Sequence, residues 1–213
     1  MATIPQGILG KLKGRVGPVT GYDRYNQTIL RSSRNNVVFK QTAARTAQQE
    51  KIRIANYFTV AFKGTGFFSK TFPSYGAKGS GYNRASKAIM NQALVGVYPH
   101  IHLDYAKVLV AQGKIPAAEN ATANADNNGT IQFSFTNNSN TGTAAATDKV
   151  VVLAYAEALQ QIIFSLHAGL RKDGAATLAA NPFKGYTVQT WIAFLNNDET
   201  NASDSVYTGS LSL

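Results

Sequence analysis

From Ala121 onward the chain is cut into short β-prone runs by turn residues at near-even spacing, and few folds accept that pattern. The runs are Thr130 to Thr136, Lys149 to Tyr155, Gln161 to His167, Ala175 to Leu178, Tyr186 to Leu195 and Ser205 to Leu211. Between them stand Asn127-Asn-Gly129, the stretch Asn137 to Gly142, Lys172-Asp-Gly174 and Asn196-Asn-Asp198. Gly, Asn and Asp supply the positive-φ and self-bonding conformations that tight turns need. Roughly seven short strands in about 90 residues predict an antiparallel sandwich of immunoglobulin or fibronectin type. The run holding Trp191, the only tryptophan, leaves its own orientation open. Gln189, Trp191 and Ala193 share one face, while Tyr186, Val188, Ile192 and Phe194 make a second, more uniformly apolar one.

The first half reads differently. Residues 1–119 hold 17 basic and 4 acidic side chains, a net of +13, and residues 120–213 hold 4 basic and 7 acidic ones, a net of −3. A basic region over 1–119 joined to a β-sandwich domain over 120–213 is therefore expected. The overall charge of +10 favours anionic partners. Within the basic region, Gly10 to Arg34 is too basic and glycine-rich for ordinary core and too apolar for a disordered tail. Arg15 to Thr20 and Gln27 to Arg31 predict two strands around a turn that includes Gly21, Tyr22, Asp23 and Asn26. An isolated hairpin is marginal in water, so this one has to lie on something else. Its Lys11, Lys13, Arg15, Tyr22, Arg24, Tyr25, Arg31 and Arg34 are the candidate assembly or anion-contact residues, because they interleave cations with aromatic rings.

Two helices follow. Thr46-Ala-Gln-Gln49 has the form of a capping box, and Ile54, Phe58, Ala61 and Phe62 fall on one stripe to about Lys63. A second helix is expected over Asn83 to Leu94, ended by Gly96 and Pro99. Alternation at Ile101, Leu103 and Tyr105 favours a strand that bridges the two halves. The fold class expected is thus mainly β with α: an N-terminal β-hairpin and two helices packed on the C-terminal sandwich.

Chemistry-bearing patterns are sparse. With no cysteine there is no disulfide framework, thiolate zinc site or cysteine nucleophile. His100 and His102 would share a strand face, but they lack the further ligands that zinc requires, so no metal is assigned. Asp104 has no paired acid or base nearby and is expected to cap or to pair with Lys107. The glycine-rich Gly64-Thr-Gly66 and Gly76 to Gly81 do not have the spacing of a phosphate loop, and no Gly-x-Ser-x-Gly elbow occurs. No enzyme activity and no cofactor are therefore expected. The start MATIPQGILG is not a cleavable signal peptide, and no apolar run is long enough to span a bilayer, which leads us to expect a protein of the cytoplasm or of an assembled particle.

The start IPQGILGKLKGRVGPVTGY, the motif Tyr98-Pro-x-Ile-x-Leu-Asp104-Tyr105-x-Lys107-Val-Leu-Val, the segment Ala146-Thr-Asp-Lys149 and the ending Ser205-Val-Tyr-Thr-Gly209-Ser together resemble an uncharacterised family of Bacteroidota proteins, a domain of unknown function. This likeness spans nearly the whole chain and carries over no catalytic residue. Arg31-Ser-Ser-Arg34, followed by Thr46-x-Gln48 and an amphipathic helix, is similar to phage-associated small structural proteins. The function expected is that of a non-enzymatic structural subunit that self-assembles into a shell or filament through its basic N-terminal hairpin. Nucleic-acid binding by the basic half is the first alternative, and a sandwich adhesin for a glycan or surface partner is the second.

Overall fold

Alternation is visible in Thr130–Thr136, where Ile131, Phe133 and Phe135 are buried and Gln132, Ser134 and Thr136 are exposed. Lys149–Ala156 does the opposite, burying every residue from Val150 to Ala156. A strand of the first kind has one face against a core, and a strand of the second kind has a core on both faces. That distinction organises the computed structural model, which describes residues 3–4, 13–32, 40–126 and 128–213.

The chain divides into two compact units, Met1–Thr42 and Ala43–Leu213. The first is a four-stranded antiparallel sheet made of β1 (Thr3–Ile4), β2 (Gly14–Val16), β3 (Val19–Arg24) and β4 (Gln27–Ser32), in the order β1-β4-β3-β2. The expected hairpin is its centre, but the expected first strand, Arg15 to Thr20, is split by a turn at Gly17-Pro18 into β2 and β3, and the hairpin turn itself is tighter than the sequence suggested. Tyr25 and Asn26, both at positive φ (50° and 60°), form the whole loop. A two-residue loop of this handedness matches the twist of the strands, and Asn tolerates it. Gly21, Tyr22 and Asp23, expected in the turn, are instead strand residues of β3, with Gly21 buried opposite Leu30.

The second unit begins with helix α1 (Ala43–Thr59), three residues ahead of the capping box expected at Thr46, because Ala43 and Ala44 are strong helix formers. A 3-10 turn, Val60–Phe62, leads to the short α2 (Phe67–Thr71) and then to α3 (Gly81–Gln92), whose cap Ser80 accepts a hydrogen bond from the Asn83 backbone N–H at 3.2 Å. Gly81 has to be glycine here, since a Cβ would stand 1.9 Å from the Phe68 carbonyl oxygen. The expected bridging strand is reduced to β6 (His102–Leu103), paired with β5 (Leu94–Val95). Asp104 ends it by accepting from the Ala106 N–H at 3.2 Å and capping the 3-10 turn Tyr105–Lys107.

Seven further strands make the sandwich: β7 (Glu119–Ala125), β8 (Thr130–Thr136), β9 (Lys149–Ala156), β10 (Gln161–Ser165), β11 (Ala175–Ala179), β12 (Thr187–Leu195) and β13 (Val206–Ser212). One sheet has the order β10-β9-β12-β13 and the other β11-β8-β7. The fourth strand of the sandwich pairs with the third, where an immunoglobulin constant domain would place it on the opposite sheet. The fold is mainly β with α, as expected, and the sandwich is of the fibronectin-like kind.

The four-stranded sheet is covered on both sides. Val151, Leu153, Tyr155, Trp191, Ala193 and Leu195 pack with Phe58, Phe62, Phe67 and Ile89 of the helical layer. The alternate residues Val150, Val152, Ala154, Val188, Ile192 and Phe194 pack with Ile131, Phe133 and Leu178 of the three-stranded sheet. Phe58 lies 4.9 Å from Tyr155 and 6.0 Å from Trp191, ring centre to ring centre, and the Trp191 indole N–H donates to the Val108 carbonyl at 3.1 Å. Its polar edge is thereby satisfied inside the core. Both faces of the Trp191 strand are inside, which is why neither set of residues read as the solvent face.

Candidate functional site: an arginine face on the N-terminal sheet

Partners directly opposite in a sheet project to the same side, and successive residues alternate. Thr20 pairs with both Arg15 and Arg31, Tyr22 with Ile29, and Arg24 with Gln27. The register therefore places Arg15, Arg24 and Arg31 on one face of the sheet together with Tyr22. All three arginines are exposed. The Arg31 guanidinium carbon lies 5.9 Å from the Tyr22 ring centre, and that of Arg24 lies 5.2 Å from the ring of Tyr25 at the turn. Cation–π contacts of this kind hold long side chains near the sheet while leaving their N–H groups available to a partner. The Arg15 Nε donates to the Gly17 carbonyl at 3.2 Å.

Asp23, the acid of these strands, belongs to the opposite face. It accepts from the Thr28 hydroxyl at 2.9 Å and faces the Lys13 ammonium at 3.5 Å. The structure thus brings Arg15, Tyr22, Arg24 and Arg31 together, puts Tyr25 at the turn, and turns Lys13 toward Asp23. Lys11 and Arg34 lie outside the described residues. No described apolar side chain of this unit is buried: Val16 is 59% exposed, and Val19, Ile29 and Leu30 are half-buried.

Elsewhere several titratable groups are held within the fold. Asp104 meets Lys107 at 3.0 Å, a bond that lowers its pKa. His102 is on β6, but His100 precedes the strand, its N–H bonded to the Val97 carbonyl at 2.8 Å, so the two do not form the expected row. His167 lies 2.9 Å from Glu199. Glu199 also meets Lys149 at 2.9 Å and Lys70 at 3.0 Å. Hydrogen bonds from Lys149, then Lys70 and His167, depress its pKa to about 2. This hub was missed in the sequence, because its members come from four separate segments with no shared spacing. Among the described residues no group of three or more His, Asp or Glu side chains is arranged to hold a metal ion, and no helix is long and apolar enough to cross a membrane.

Residues 11–209 match the model of a family of unknown function, DUF6266, and the chain belongs to that family. No curated protein matches it at a significant level.

Proposed function

We propose that this member of a family without an assigned activity is a non-enzymatic structural subunit, and that it self-assembles into a phage-like shell or a filament through its N-terminal sheet. The observation that carries this reading is the contrast within residues 13–32: regular strand pairing with no buried apolar side chain. A small sheet whose described strands bury no apolar side chain gains stability by covering its faces or edges with another chain. The three-stranded and four-stranded sheets of the second unit, by contrast, are closed around their own cores, so removal of the first unit leaves a foldable remainder. Deletion of Met1–Thr42 is expected to keep cooperative melting and to abolish oligomers in light scattering. A truncated protein that still assembles would falsify the reading.

A second reading, nucleic-acid binding, is favoured by one observation: Arg15, Arg24 and Arg31 share a face with Tyr22 and with no acid among the described residues. Guanidinium groups contact phosphates, and a tyrosine offers a base a stacking surface. The salt dependence of binding to a DNA or RNA oligomer separates the readings. Each lost phosphate contact removes about 0.9 from the log–log slope for duplex and about 0.7 for single strands. Replacing the three arginines with Gln therefore flattens the slope under this reading, and an unchanged slope places the contacts elsewhere.

A further inference from the structure

Helix α3 presents Asn83, Lys87 and Asn91 at i, i+4 and i+8, and Arg84 and Ala88 in the row beside them. Together with Lys78 and Gln112 from two loops, they line a cleft of about 470 Å³. Ala88, 8% exposed, is small enough to give the cleft depth. The walls are fixed from several directions. The Gln112 N–H is bonded to the Thr71 carbonyl at 3.0 Å. Gly113, next to it, passes so close to Ala202 that a Cβ would stand 1.9 Å from the Ala202 carbonyl oxygen.

The charge in this cleft is unbalanced. Lys78, Arg84 and Lys87 line it, and no Asp or Glu does. Arg84 is held rigidly, with Nε 3.1 Å and Nη2 2.5 Å from the Phe72 carbonyl oxygen and Nη1 2.8 Å from that of Gly79. Those partners are neutral, so they position the guanidinium without cancelling its charge. A cleft lined by one sign of charge focuses its field on an incoming counter-ion. The amides of Asn83, Asn91 and Gln112 add donors and acceptors suited to hydroxyl groups or to the edge of a base. The volume falls in the range of small-ligand sites and exceeds what inorganic phosphate fills.

We propose that this cleft binds a small phosphate monoester, the phosphate between Lys78, Arg84 and Lys87 and the polar body along the amide row. The site is in the second unit and stands independently of the assembly reading. Calorimetric titration of the full chain at low salt with glucose 6-phosphate, adenosine monophosphate and inorganic phosphate tests it. At least one ester is expected to bind at least tenfold more tightly than inorganic phosphate, and the ester that does so identifies the body as sugar or nucleoside. Lys78 and Lys87 are exposed, so Lys78→Gln and Lys87→Gln should melt like the parent, and each should weaken ester binding by about tenfold or more, the scale of one hydrogen bond to a charged group. Absence of ester binding at millimolar concentration overturns the proposal. So does inorganic phosphate binding as tightly as both esters, or folded lysine variants that bind like the parent.

Discussion

Arginine does two different jobs in the two units. In the second, Arg171 is fully buried: Nε donates to Asp148 Oδ2 at 3.1 Å, Nη1 to Asn138 Oδ1 and Nη2 to the Pro116 carbonyl at 3.0 Å, while the guanidinium carbon lies 3.7 Å from the Phe194 ring centre. Burial lowers its pKa, and Asp148 offsets only part of that shift. In the first unit, Arg15, Arg24 and Arg31 stand exposed, with aromatic neighbours for two of them. Where the fold supplies the acceptors, the charge is committed to stability. Where the side chain stands at the surface, little stability is committed to it.

The comparison is broken most readily at its buried end. Arg171→Met leaves Asp148 and Asn138 buried without their donor and is expected to cost about 3–5 kcal/mol in urea denaturation, the scale for removing one member of a buried pair. A loss under about 1 kcal/mol would show that this arginine is no more committed than the exposed ones. Trp191→Ala, at a position of 0% exposure, is expected to cost roughly 3–5 kcal/mol as well. A variant that melted normally but assembled poorly would move Trp191 from the core to an interface. At the exposed end, Gln at positions 15, 24 and 31 should change stability by no more than about 0.5 kcal/mol per site, because surface changes seldom do more. A clear drop in melting temperature would mean that these side chains support the fold.

A pH-dependent effect concerns Glu199. Its folded pKa, about 2, lies below the ordinary value of 4.5, so its contribution to stability is present above that ordinary value and is lost as pH falls from 4.5 toward 2. Glu199→Gln should melt below the parent at neutral pH and converge with it at the acid end. Parallel melting curves throughout that window would remove the hub from the account of stability.

Legibility in the sequence followed burial geometry. The one-sided β8 announces itself through Ile131, Phe133 and Phe135, and the capping role and Lys107 pairing of Asp104 could be anticipated from local spacing. For β9 and β12, period-two alternation is erased because residues of both parities are buried, each parity in a different core. The candidate arginines were readable as a list, but their common face was not, since it depends on the register set by the two-residue Tyr25–Asn26 turn. Arg171 gave no local sign at all. Its partners Pro116, Asn138 and Asp148 are 23 to 55 residues away, and a lysine- or arginine-containing turn is ordinarily a solvent-exposed one.

The shared core of the second unit also sets an order of events at the ribosome. Phe58, Phe62 and Phe67 are made early, yet the strands that cover them end at Ala156 and Leu195. Translation at about 5–20 residues per second leaves that aromatic surface waiting several seconds for its cover. Until Leu195 has emerged, these aromatic side chains lack part of the sheet that covers them in the folded protein.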